Sequence, residues 1–233
     1  MMNDLEHRYR EVCGRIEAAT QRQQAKAPTL LAVSKKHPSQ SIRTLYQLGQ
    51  RDFGESYWQE AEQKMAELKD LDIIWHFIGP LQSNKTRPIA EHFDWVHSVD
   101  REKIARRLSE QRPPELPPLN LCLQVNIDNE ASKSGVAPQD VLPLAKAIHQ
   151  LPRIRLAGLM CIPEHSDDMA QQRLPFKRLA TLKNELEAAG ITTDALSMGM
   201  SDDLEAAIAE GSTILRIGTA LFGDRQKTVT NPS

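Results

Sequence analysis

The strongest constraint on this 233-residue chain is a repeated alternation of short apolar runs with longer amphipathic segments. Eight strand-like runs can be marked: Leu30 to Lys35, Asp52 to Glu55, Ile73 to Ile78, Trp95 to Val99, Leu119 to Ile127, Leu156 to Ile162, Ala195 to Met200 and Ile214 to Ala220. Most are followed by a helical pattern. These run over Ser39 to Leu48, Trp58 to Leu68, Asn84 to His92, Arg101 to Gln111, Pro138 to Gln150, Met169 to Ala189 and Asp202 to Glu210. Strands alternating with helices require crossover connections, hence a parallel sheet with right-handed βαβ units. Eight such units in just over 200 residues match a (β/α)8 barrel of TIM type near its lower size limit.

An open doubly wound sheet is the competing solution, and it usually carries a glycine-rich loop after its first strand. Here that loop reads Lys36-His37-Pro38, without glycine, which favours the barrel. Leu5 to Gln24 reads as an additional helix ahead of the first strand. The expected organisation is one barrel domain over 1–233, with residues 1–28 as helix and lead-in and 224–233 as a short tail. Ser39, Asp100 and Ser201 occupy expected N-cap positions, and Gly49, Gly190 and Gly211 expected helix stops. The proline-rich stretch 112–118 reads as a stiff surface loop rather than a domain linker.

Composition excludes several classes. A net charge of -2 gives no basic field for nucleic acid or an anionic membrane. No apolar stretch approaches the roughly 20 residues of a membrane span, and the polar amino-terminus lacks a signal-peptide core, so a cytoplasmic protein is expected. Cys13, Cys122 and Cys161 are odd in number and share no metal-ligand spacing. The seven histidines form neither HxH nor HExxH, so no metal site is expected.

In a barrel the chemistry collects at the carboxyl ends of the strands. Lys35 stands at the end of the first run. Burial there favours the neutral amine, a nucleophile able to form a Schiff base with an aldehyde; simple solvation of the first residue past a strand is the alternative. The loops after strands seven and eight read Ser197-Met198-Gly199-Met200-Ser201-Asp202-Asp203 and Arg216-Ile217-Gly218-Thr219-Ala220. Such loops commonly cradle a phosphate in this fold, with backbone N–H groups beside the glycines and the Ser201 and Thr219 hydroxyls as donors. Asp202 and Asp203 oppose that reading, because carboxylates in a first helical turn repel an anion. An aldehyde anchor facing an anion anchor across one barrel mouth is what pyridoxal 5'-phosphate (PLP) requires. Arg216 shares a strand face with Gly218 and needs an acceptor, either the pyridine nitrogen of that cofactor or a buried carboxylate such as Glu55.

Leu31-Ala32-Val33-Ser34-Lys35, Phe53-Gly54-Glu55-Ser56-Tyr57, His76 to Lys85, Ser132-Lys133-Ser134-Gly135, Gly158-Leu159-Met160 and the two loops above, through Leu221-Phe222-Gly223, closely resemble the pyridoxal phosphate homeostasis proteins, called the YggS family in bacteria. The resemblance runs in order over nearly the whole chain. It implies an alanine-racemase-like barrel with Lys35 as the Schiff-base lysine. Ser201, Gly218 and Thr219 would hold the phosphate, Arg216 would face the pyridine nitrogen, and Ile78 and Met198 would pack near the ring. Ser56 stands where the family more often has asparagine next to the ring oxygen. Lys36-His37 replaces a more usual pair of small residues, and strand alternation sends Lys36 away from the face of Lys35.

The family is understood to bind and supply PLP, with effects on amino- and keto-acid balance and no established turnover. The implied partners are PLP and, transiently, apo-PLP enzymes, and the expected state is a monomer. A PLP-dependent racemase or lyase acting on an amino acid is the alternative. Related racemases need a tyrosine opposite the lysine and a second domain over the site. Of Tyr9, Tyr46 and Tyr57 only Tyr57 falls near the expected mouth, and the ten residues after Gly223 leave no room for such a domain.

Overall fold

A computed structural model describes residues 3–130 and 133–223 of the protein. The expected tail at 224–233 and Ser132 lie outside the described residues. The elements follow in the order α1 (Asp4–Gln23), β1 (Thr29–Val33), α2 (Ser39–Gln47), β2 (Asp52–Glu55), α3 (Trp58–Glu67), β3 (Ile74–Phe77), α4 (Thr86–His92), β4 (Trp95–Val99), α5 (Glu102–Gln111), β5 (Leu119–Gln124), α6 (Val141–His149), β6 (Ile154–Met160), α7 (Met169–Ala188), β7 (Ala195–Ser197), α8 (Leu204–Ala209), β8 (Ile214–Ile217) and α9 (Thr219–Phe222). The strands β1 to β8 pair in parallel, each with the next, and β8 closes on β1 with Thr29 opposite Ile214. This is the expected (β/α)8 barrel with an extra leading helix.

Strand alternation separates two cores. Outward side chains such as Phe53, Val96, Leu121 and Leu215 pack with the helices in one continuous cluster. Inward side chains form a small second cluster of Leu31, Cys122, Ala157, Met160, Ala195 and Ile214, with Ile78 and Trp95 against it. Burial of apolar area drives both, at about 25 cal/mol per Å². The leading helix α1 is capped by the Asn3 side chain and buries Val12 and Ile16. It packs across α8 and α9, beside the last two strands.

Several boundaries differ from the sequence reading. The first strand stops at Val33, two residues before Lys35. One further ladder bond, Ser34 N–H to the Gly54 carbonyl, extends the pairing, and then Lys36 turns the chain away at φ 66°. The eighth strand stops at Ile217, and Thr219–Phe222 is helical, with the N–H groups of Leu221 and Phe222 donating to the Gly218 carbonyl. The fifth strand ends at Gln124 rather than Ile127. The predicted caps are also revised. Pro38, Arg101 and Asp203 precede the helices that Ser39, Asp100 and Ser201 were expected to cap. The stops hold: Gly49, Gly190 and Gly211 all adopt positive φ.

Candidate functional site

The loops after β1, β7 and β8 surround a cavity of about 500 Å³ at the carboxyl end of the barrel. Lys35, Ile78, Ser201, Arg216, Gly218 and Thr219 all line it. Six of the eight residues expected at the site therefore meet in one place.

Two do not. Ser197 and Met198 are neighbours, so the pleat sends them to opposite sides. Ser197 points into the barrel, where it bonds Arg216, and Met198 is fully buried in the outer core. Met198 therefore packs against the helices, not beside a ligand in the cavity. Ser56 is buried as well, but it lines a separate cavity with Tyr57, Pro80 and Lys85. The close approach of two loops explains this. A Cβ on Gly79 would sit 2.1 Å from the Ser56 carbonyl oxygen, so only glycine lets the segment after β3 pass the segment after β2.

Lys35 reaches the cavity because its flanks are fastened from outside the barrel. The ammonium of Lys64, on α3, donates to the Ser34 carbonyl at 2.8 Å and to Glu55 and Glu60 at 2.7 Å. The Ser34 hydroxyl donates to Glu55 Oε1 at 2.6 Å, and the Lys36 N–H donates to Glu60. Burial pushes the Glu55 carboxyl above its usual range, against the pull of Lys64. The salt bridge considered between Arg216 and Glu55 is thus replaced: Glu55 points outward to Lys64, and Arg216 points inward.

Arg216 is 5% exposed. It donates through Nη1 to Ser197 Oγ at 2.7 Å and through Nη2 to the Cys161 carbonyl at 2.8 Å. Burial lowers its pKa from the ordinary value, but a guanidinium starts so high that it stays charged. Cys122 and Cys161 stand nearby as inert hydrophobes, their thiols pushed up to about 12 by burial.

The anion side of the cavity is built by two loops tied together. The Ser201 hydroxyl accepts from the Ala220 N–H at 3.2 Å, which leaves its own proton to donate elsewhere. Gly199 makes the turn at φ 96°, where a Cβ would lie 2.5 Å from Ala207 and 2.7 Å from Leu215. The Asp203 carboxylate receives the Met200 N–H at 2.6 Å, and burial raises its pKa. The repulsion expected from this residue is thereby reduced, although Asp202 remains in the lining.

Arg15 and His37 were missed in the sequence. Arg15 extends from α1 to the cavity, donates to the Ser201 carbonyl at 3.0 Å and pairs with Glu205 at 2.9 Å. His37 stacks on Phe222 with ring centroids 4.6 Å apart. Both contacts tie distant parts of the chain, and local pattern carries no signal for either. None of the three tyrosines lines the cavity, and Tyr57 is 50% exposed beside the other pocket. Among the described residues, no three His, Cys, Asp or Glu side chains cluster as metal ligands.

Comparison with known proteins agrees with this architecture. The alanine racemase N-terminal domain matches residues 13–226. A pyridoxal phosphate homeostasis protein of Pseudomonas aeruginosa is 58% identical over 226 residues, covering 96% of this chain and 97% of that protein. Its Escherichia coli K12 counterpart is 48% identical over 229 residues, covering 96% and 98%. The PipY protein of Synechococcus elongatus, solved with PLP bound, is 41% identical with a TM-score of 0.78, covering 88% of this chain and 98% of that one. With full-length relatives at this identity and the same barrel beneath them, the chain belongs to the pyridoxal phosphate homeostasis proteins, a family built on the alanine racemase N-terminal domain.

Proposed function

We propose that the protein binds PLP in the β1–β7–β8 cavity and holds and releases it as a non-catalytic carrier, in one barrel domain that works as a cytoplasmic monomer. The observation that carries this reading is the convergence of Lys35, Ser201, Thr219 and Arg216 on one cavity. The donor set suits the cofactor: an amine for its aldehyde, hydroxyls for its phosphate, and Ile78, Val33 and Met160 for the faces of its ring. Bound there, PLP supplies an aldehyde for one covalent bond, a phosphate and a pyridine ring.

Lys35 would supply the amine that anchors the cofactor's aldehyde, and the Lys64–Glu55–Glu60 cluster holds its loop in place. Ser201, Thr219 and the Gly218 backbone hold the phosphate, with Arg15 steadying the Ser201 carbonyl. Arg216 would donate a hydrogen bond to the ring nitrogen while keeping its own proton, which would leave the ring a weak electron sink. Several observations favour a carrier. The cavity has no tyrosine to act opposite the lysine. Controlled proton transfer needs a placed base and exclusion of water. The relatives also bear the name of a homeostasis protein rather than of an enzyme. No helix among the described residues is long and apolar enough to cross a membrane.

The test is to give the PLP-loaded protein saturating amino acids, and separately an apo-PLP enzyme. A carrier converts no more than about one equivalent of amino acid, yet activates the apo-enzyme faster than the same concentration of free PLP. Sustained turnover, with activation no faster than by free PLP, identifies a racemase or lyase instead.

A further inference from the structure

The interior of a (β/α)8 barrel is ordinarily filled by layers of branched apolar side chains. Here a line of polar groups crosses it. The Asp52 carboxylate at the start of β2 meets His76 Nε2 at 2.9 Å. His76 Nδ1 meets His97 Nε2 at 2.9 Å, and His97 Nδ1 meets Ser197 Oγ at 2.7 Å. Ser197 Oγ then receives Nη1 of Arg216 at 2.7 Å. His76 and Ser197 are 1% and 0% exposed, and His97 is fully buried. Besides each other, the two rings face Asp52, Arg216 and the indole of Trp95, which stacks on His76 with centroids 5.5 Å apart.

The protons in this line can be assigned from its ends. A guanidinium only donates, so Ser197 Oγ accepts from Arg216. The Ser197 proton then has one acceptor among the described residues, His97 Nδ1. Burial beside Arg216 and His76 keeps His97 neutral, which puts its single proton on Nε2, donating to His76 Nδ1. The His76 proton is left on Nε2, donating to Asp52. Every bond then runs in one direction, and no buried donor or acceptor in the line is left over.

We propose that Ser197, His97, His76 and Asp52 are positioning residues: a one-way hydrogen-bond chain that fixes the Arg216 guanidinium, with its remaining N–H groups toward the cavity, and so slows departure of the cofactor ring. The inference rests on the PLP reading above. Nothing in it requires the chain to conduct a proton. It presets a donor, and the order of the donor side is anchored 24 residues away in sequence from His76, at the other end of the barrel.

Two measurements test it, and only one needs the cofactor. In the apo-protein, ¹⁵N-histidine spectra near neutral pH are expected to show His97 and His76 both as Nε2–H tautomers. A proton on His97 Nδ1 overturns the chain, whatever PLP does. In the PLP-loaded protein, release is followed by transfer to an apo-PLP enzyme in excess. Ser197→Ala is expected to release PLP about tenfold faster, and Asp52→Asn about threefold faster. Ser197→Thr, which keeps the hydroxyl, is expected to stay close to the parent. Borohydride reduction separates the two claims. A Lys35 adduct in the parent with unchanged release in Ser197→Ala and Asp52→Asn overturns the chain alone. No Lys35 adduct in the parent overturns the PLP reading, and the effect on release falls with it.

Discussion

Two buried polar clusters flank the Lys35 loop, and they handle charge in opposite ways. Outside the barrel, between β1, β2 and α3, the Lys64 ammonium is surrounded by Glu55 and Glu60 at 2.7 Å and by the Ser34 carbonyl. All three of its N–H groups donate, and two adjacent carboxylates face its single positive charge. Inside the barrel, Arg216 is hydrogen-bonded to a neutral hydroxyl and a carbonyl, the Asp203 carboxylate acts on it only through space, and the Asp52 carboxylate lies three side chains away. The outer cluster consumes its charge in holding a loop. The inner one spends neutral hydrogen bonds on orientation and leaves a cation facing the cavity. In the outer cluster the cation is taken up by carboxylates beside it, whereas in the inner one hydrogen bonds to neutral partners leave the guanidinium facing the cavity.

This contrast can be broken most severely at Lys64. Lys64→Met leaves Glu55 buried with no compensating cation, and a loss of about 3–5 kcal/mol is expected in urea unfolding. Replacing Glu55 with Leu in the same protein is expected to recover much of that loss, because the orphaned charge goes too. A double mutant no better than Lys64→Met means that the cluster is not balancing charge.

The next effect separates two adjacent residues on opposite sides of β7. Met198→Ala is expected to cost about 2–5 kcal/mol through an outer-core cavity, with PLP release unchanged. Ser197→Ala is expected to cost about 1–3 kcal/mol by leaving buried partners unmatched, with release accelerated. Equal effects of the two on release would erase the distinction between inner and outer faces.

The smallest effect is a pH limb. Burial holds the His97 pKa well below its ordinary value, so the unfolded chain takes up a proton there before the folded one does. Its contribution to stability is present above about pH 6.5 and is lost as pH falls below that, by about 1.4 kcal/mol per unit. Thermal unfolding at a series of pH values should show that limb, and His97→Asn should flatten it. An unchanged slope in His97→Asn assigns the limb to another group.

Much of this was legible in the chain. The eight strand–helix units, the leading helix and the glycine stops follow from periodicity and turn chemistry, which are local. The misplaced ends have local causes too. Ala220-Leu221-Phe222 extends an apolar run, and apolar runs do not distinguish a strand from a short buried helix. Val33 looked like mid-strand because the left-handed Lys36 that turns the chain has no signature residue. Local pattern does not show that Met198 faces the helices, because facing depends on register and the pairing of Ser197 with Ile214 is a tertiary fact. The inner chain was hidden for the same reason: His97 and Ser197 are 100 residues apart and meet only when the barrel closes.

Lys35, not a neighbouring lysine, is expected to carry PLP. Lys36 follows it on a left-handed turn, and Lys85 lies against the separate cavity beside Ser56. The direct measurement is to load the protein with PLP, reduce with borohydride, digest and map the adduct by mass spectrometry. One modified residue is expected, Lys35, at close to one equivalent, and the adduct is expected to be lost in Lys35→Ala. An adduct at Lys36 or Lys85 with Lys35 unmodified would contradict it.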